Sequence, residues 1–303
     1  MLGVVSDTTA EGLVDEREAK KWEEFEPWLQ EIERKRQSLA GRDHTTVVSR
    51  PLYRGQANSQ WKLLTTLERH FRTTITVGQY FWLVRAAKPF IETLTERRWN
   101  LPDELTTQDE EMLGIFPTKH PLFGGEGYEY LTYLRHHGFP SPLLDWSLSP
   151  YLALFFAFND AEEIAGGHVS VFSFVEYAGR GKGRSGGQAG IHELGGYTRS
   201  HPRHFLQQGG YTVCLKENDA GICFAEHEEV FARADGEQDL LWKLNIPTSE
   251  RRRVLNHLDR HNINAHSLFA NEEGLARTIA FREIEAGIAK GILPAPVQAK
   301  RGV

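Results

Sequence analysis

Three stretches of this chain place polar, chemistry-bearing side chains in tight backbone. The first is "LYRGQANSQWKLLTTLERH", residues 52–70, where an arginine stands beside a glycine at the end of a strand-like run. A guanidinium presents a planar fork of donors that suits phosphate or carboxylate, and glycine lets a ligand approach the backbone. Arg54 is therefore a candidate anion grip, with Gln56 as its neighbour and Arg69 one short helix later. A structural ion pair would use the same residue equally well. The second stretch is "SPLLDWSLSPYLALFFAF", residues 141–158, which drops Asp145 and two serines at the mouth of an apolar run. Ser149 and Pro150 form a helix-start signature. The free N–H groups of that first turn attract negative charge, so Ser147 and Ser149 can cap the helix, contact a ligand, or do both. Asp145 in apolar company needs a hydrogen bond or an ion pair, or its pKa rises; Arg54 is the economical partner. The third stretch is "RSHPRHFLQQGGYTVCL", residues 199–215, with Arg203, Gln207, Gln208, Gly209 and Tyr211 leading into a strand. A glutamine amide there can donate and accept toward a ligand hydroxyl, or simply satisfy the backbone of a turn.

Other chemistries lack their signatures. The histidines make no H-E-x-x-H and no cluster with cysteine, and no metal ligand set is expected. There is no kinase set, and the glycine-rich stretch at 178–190 lacks the Gly-Lys-Ser/Thr of a P-loop. Cys214 and Cys223 match neither zinc nor disulfide spacing and read as two reduced, buried thiols.

The elements that must position these residues belong to an ordinary globular composition: 303 residues, 40% hydrophobic and 25% charged. A net charge of -6 offers no bulk basic field for nucleic acid. The N-terminus lacks a secretory pattern, and the longest apolar run, 151–158, is too short to span a bilayer, so a cytoplasmic protein without membrane contact is expected. Residues 1–42 are expected to be a helical segment, with Trp22, Phe25, Trp28, Leu29 and Ile32 at roughly helical spacing. Residues 43–285 form the main domain and 286–303 a tail. Within the main domain, residues 55–59 read as a turn, 77–98 as a helix, 102–111 as a charged loop and 166–177 as a strand. Strand-like segments follow at 209–215 and 239–247, with an acidic connection between them. Helices lead and strands dominate the middle, an order that predicts an α+β domain.

Taken in order, the three polar stretches resemble the FRG domain family. Its naming motif, aromatic-Arg-Gly, falls on Tyr53-Arg54-Gly55, followed by Trp61, Leu63 and Arg69. Its central Leu-Leu-Asp-Trp-Thr-x-Ser-Pro pattern falls on residues 143–150, with Ser147 in place of threonine. Its late Arg-x-x-x-Gln-x-Gly-x-aromatic pattern falls on Arg203, Gln207, Gly209 and Tyr211, and Ala270 stands where the family pattern has proline. The arrangement is further similar to the ADP-ribosyltransferases. That similarity implies a mixed, mainly antiparallel sheet with an N-terminal helical layer and peripheral helices, and NAD as substrate. On this likeness Arg54 holds pyrophosphate and Asp145 orients Arg54 or Arg69. Ser147, Ser149 and Tyr151 bracket nicotinamide, and Gln207 fixes the ribose where the transferase pattern has glutamate. Tyr53, Gly55, Gln56, Arg69 and Arg203 complete the nucleotide site. Glu226, Glu228 or Glu229 could then supply the missing carboxylate. The implied function is an ADP-ribosyltransferase or NAD glycohydrolase, in a toxin or antiphage effector, with a protein or nucleic acid as acceptor. A non-catalytic nucleotide- or phosphate-binding module is the alternative. A nuclease holding metal on Asp145 and the acids at 226–229 is the third.

Overall fold

The computed structural model describes residues 14–40, 48–71, 73–161, 167–177, 187–196, 198–199, 202–231 and 239–294. The glycine-rich stretch lies outside them as far as residue 186. The strands are β1 (Val14–Glu18), β2 (Leu52–Gln56), β3 (Leu144–Ser147), β4 (His168–Val175), β5 (Gly190–Glu193), β6 (Gly209–Asn218), β7 (Gly221–Phe224) and β8 (Leu240–Pro247). Among the described residues they form one sheet in the order β1-β8-β4-β2-β3-β6-β5, with β7 paired to β6. Only β1 and β8 run parallel; the other pairs are antiparallel. The fold is α+β with a mixed, mainly antiparallel sheet.

The α-helices before β4 are α1 (Phe25–Ala40), α2 (Thr66–His70), α3 (Val77–Thr95), α4 (Thr107–Ile115), α5 (Gly125–His136) and α6 (Pro150–Asn159). Those after it are α7 (Pro202–Leu206), α8 (His227–Phe231), α9 (Arg251–Arg260), α10 (Ala265–Phe269) and α11 (Glu272–Ala289). Several sequence expectations need correction. Val14–Glu18, expected to be helical, is the edge strand β1: the parallel partner β8 supplies hydrogen bonds that outweigh local propensity. Its Asp-Glu-Arg-Glu run keeps a sheet edge charged. The turn expected at 55–59 starts later, because β2 continues to Gln56 against Ser170 of β4. The charged loop carries α4, started by a reciprocal cap between Thr106 and Asp109. The acidic connection contains β7 and α8. Ala270, in the family's proline position, sits at φ 48°, a conformation that the proline ring forbids.

One sheet face is covered in two halves. Phe25, Trp28 and Ile32 of α1, most of α6, and Val254, Leu255 and Leu258 of α9 pack on Val169, Val171, Leu244 and Ile246. Tyr80 and Val84 of α3 and Leu131 and Leu134 of α5 pack with Tyr211, Val213 and Leu215. The opposite face buries Leu52, Leu144, Trp146, Phe172, Phe174 and Cys214 beside Phe231 of α8. Both cysteines are buried free thiols. Among the described residues no helix is long and apolar enough to cross a membrane.

The two halves flank β2 and β3, and α6 is fixed there by an unusually close approach. A Cβ at Gly55 would lie 2.0 Å from Ala153 O and 2.5 Å from Ala157 N. Gly55 thus admits the helix rather than a ligand. Gly55→Ala should cost about 3 kcal/mol, the upper end for overpacking a rigid contact. Urea unfolding checks this, and a variant as stable as the wild type would contradict the packing account.

Candidate functional site

A cavity of about 330 Å³ opens between the two helical halves. Six sequence candidates line it: Tyr53, Arg54, Gly55, Asp145, Ser147 and Gln207. Arg135 and His136 from the end of α5, His204 from α7 and Tyr211 from β6 line it too.

Asp145 lines it from the short strand β3. Its expected partnership with Arg54 takes another form. Arg54 Nη1 donates 2.7 Å to the main-chain oxygen of Asp145, not to the carboxylate. The register explains this: β2 and β3 share only the pair Tyr53–Ser147, so the strands part beyond it and the guanidinium takes up a carbonyl the ladder leaves. The carboxylate pairs instead with Arg135 through Oδ2, while Oδ1 has no hydrogen-bond partner among the described residues. Arg54 Nε and Arg135 Nε are likewise buried and without partners among the described residues. Burial pulls the Arg54 guanidinium down to about 10, against the opposing pull of Asp145, and it remains a cation at neutral pH. An orphaned carboxylate oxygen and two under-used guanidinium groups are what a polar ligand would satisfy.

Ser147 and Ser149 serve the fold. Ser147 Oγ donates 2.8 Å to Gln207 O and accepts from Ser149 N at 3.1 Å, while Ser149 Oγ caps α6 by accepting from Leu152 N. Gln207 reaches the cavity, but its Nε2 donates 3.3 Å to Leu268 O. Between Gln207 and Gly209, Gln208 adopts φ 47°, a left-handed turn out of α7 that costs about 1 kcal/mol for a side-chain-bearing residue.

The remaining candidates do not line the cavity. Tyr151 Oη donates 2.5 Å to Glu26 of α1. Buried Gln56 donates 3.2 Å to Lys62 O. Arg69 is exposed and donates to Leu64 O, so Asp145 does not orient it. Arg203 stacks over Phe269. The acids of α8 and its approach are held elsewhere: Glu228 accepts from Leu63 N, Glu229 pairs with Lys216, and Glu226 faces Lys62. They do not supply the cavity's carboxylate; Asp145 does. Among the described residues no group of three or more His, Cys, Asp or Glu is placed to hold a metal ion.

Sequence reasoning assigned no site role to Arg135, His136 or His204. The Arg-His-His run ends α5, where cations suit the helix dipole, and that local explanation hid the cavity role. Tyr211 carried a signal as the aromatic of the third motif. Burial pushes its phenol well up, with Asp145 adding to the effect, so it stays protonated. Tyr211 Oη lies 3.0 Å from His136 Nε2.

Beside Arg54, on the sheet face that buries Trp146 and Phe172, lies a buried polar chain. Trp146 Nε1 donates 2.8 Å to Thr212 Oγ1, and Thr212 Oγ1 lies 2.8 Å from His227 Nε2. The indole can only donate, so Thr212 Oγ1 accepts from it and keeps its proton and a second lone pair for the contact with His227 Nε2. Burial, reinforced by Arg54, pulls the His227 imidazole down to about 3. Folding therefore favours the neutral ring, and its contribution is complete above the unfolded value of about 6.5. As pH falls from there toward 3, the unfolded chain takes a proton that the folded chain refuses. Stability should drop by up to about 1.4 kcal/mol per pH unit from this residue. His227→Gln should flatten the urea-unfolding slope between about pH 6.5 and pH 5, above the main carboxylate range. An unchanged slope would refute the assignment.

Compared with known proteins, the chain matches the family model described as the FRG domain over residues 49–165. That span holds the strands of Arg54 and Asp145 and ends before α7. No curated protein and no solved structure matches it.

Proposed function

We propose that in this chain, whose residues 49–165 match the FRG domain model, the Asp145 cavity binds an NAD-class nucleotide and cleaves its N-glycosidic bond, in the manner of an ADP-ribosyltransferase or NAD glycohydrolase. The observation that carries the proposal is the Asp145 carboxylate, which lines the cavity with one oxygen on Arg135 and the other without a partner among the described residues. Departure of nicotinamide leaves an electron-poor ribosyl carbon with oxocarbenium character. A preorganised carboxylate stabilises such a centre where a glutamine does not. Asp145 thus takes the role that the transferase pattern gives to glutamate, and Gln207 is left to position the turn. Arg54 and Arg135 supply positive charge for the phosphates. The cavity volume is at the small end for ligand sites, suited to the nicotinamide riboside end of the substrate. The acceptor is water or a nucleophile of a protein or nucleic acid.

A second reading, binding without turnover, draws on the hydrogen bonds that hold Ser147 and Gln207 within the protein. Purified protein with nicotinamide-labelled NAD separates the two. On the enzymatic reading the wild type releases nicotinamide, and Asp145→Asn lowers kcat by about 10² to 10³ while the fold, checked by thermal melting, survives. Arg54→Ala weakens NAD binding. Saturable NAD binding with no nicotinamide release establishes the binding module instead. A Tm that NAD does not raise, together with no release, rejects both.

A further inference from the structure

Three large apolar side chains of α3 stand in solvent: Trp82, Phe90 and Leu94 are 69%, 79% and 87% exposed. With Ala86, also exposed, they recur every fourth residue and so share one ridge of the helix. Pro89 and Thr93 beside them are exposed too. The opposite face is already used, since Val77, Tyr80, Phe81 and Val84 are buried in the core. A surface helix ordinarily carries polar residues where α3 carries this ridge.

The ridge is symmetric about Ala86, with Trp82 four residues before it and Phe90 four residues after. A second α3 laid antiparallel across the first, with a two-fold axis beside Ala86, sets Trp82 of each protomer against Phe90 of its partner. One operation makes both ring pairs, which is what a self-complementary interface requires. The small side chain of Ala86 lets the two helix axes approach at the crossing. The bordering charges are compatible with this. Arg85 pairs with Asp103 at 2.6 Å and Lys88 with Glu92 at 3.1 Å, so the two Arg85 residues that meet near the axis each bring a counter-ion.

The size also fits. The two rings alone offer on the order of 300 Å² of apolar surface, already among the larger patches on monomers. Leu94, Pro89, Ala86 and Thr93 extend the face toward the roughly 800 Å² per partner of a standard interface. A bilayer is a poorer match. An interfacial helix presents free cations to anionic lipid, whereas Arg85 and Arg98 are met by Asp103 and Glu92, and the chain carries a net charge of -6.

We infer that this face is a homodimer interface, in which two copies of the chain pair through antiparallel α3 helices crossing at Ala86. The pairing bears on the cavity, because α3 supports the helix that delivers Arg135: Tyr130 Oη of α5 donates 3.1 Å to Val84 O.

Sedimentation velocity of the full chain from micromolar to millimolar concentration tests the inference. The wild type should show a monomer–dimer equilibrium. Trp82→Glu and Phe90→Glu should each weaken it at least about tenfold, with thermal melting close to wild type because both side chains are exposed. Ala86→Cys should give a disulfide-linked dimer under mild oxidation, since the axis brings its two copies together. Thr93→Cys should not, because antiparallel helices hold its two copies about 21 Å apart. Cys214 and Cys223 are buried and should not contribute. A wild type that stays monomeric throughout overturns the inference, and binding of that monomer to phosphatidylcholine–phosphatidylserine vesicles would give the face to a membrane instead. A dimer unmoved by both glutamate variants overturns it as well. Cross-linking at position 93 as fast as at 86 overturns the antiparallel arrangement.

Discussion

Asp145 is held from two directions by two arginines, and the site takes its shape from that double grip. Its carbonyl accepts from Arg54 where β2 and β3 part, and its carboxylate accepts from Arg135 at the end of α5. The first contact joins two strands that share a single register pair. The second draws the end of one helical half toward the sheet and carries the adjacent His136 to Tyr211. The same residue thus closes a split in the sheet, docks a helix and presents the cavity's carboxylate. The half-exposed carboxylate meets the Arg135 cation, which compensates the part of it that is buried.

Behind the polar groups the structure is rigid. α6 buries Leu152, Leu154, Phe155 and Phe158 and lies against Gly55 with no room for a methyl group. Gly209 gives His204 the same freedom of approach that Gly55 gives α6. Two motif glycines therefore act through packing between protein elements. Groups held this way keep their geometry before a ligand arrives, which is the condition for electrostatic stabilisation at a reacting centre. The serines beside them do related work, tying β3 to the turn after α7 and capping α6.

The candidate site was legible in the sequence where several residue types recur together at tight backbone. Arg54, Asp145, Ser147 and Gln207 come from three stretches far apart in the chain and line one cavity. Legibility stopped at the partner of each group. The Asp145 carboxylate met Arg135 rather than Arg54, because strand alternation sends the two expected partners to opposite sides of the sheet while α5 lies over one of them. Arg69, Gln56 and Tyr151 belong to the same local motifs, but their donors are taken up by nearby carbonyls or by Glu26. Proximity in sequence to a site residue carried no information about which way each side chain points.

What the sequence determined by itself was local: the helix start at Ser149 and Pro150, the apolar run of α6, the strands at β4, β6 and β8, the α+β class, and the first two motifs, which fall in the span that matches the FRG domain model. These depend on propensity, capping and periodicity, interactions a few residues long. The tertiary structure alone decided that Val14–Glu18 is a strand, that His136, Tyr211 and His204 form one array, and that Asp145 rather than an acid at 226–229 faces the cavity. Each of those outcomes depends on a hydrogen bond or contact between residues far apart in the chain, and local chemistry does not encode which distant partner packing will deliver.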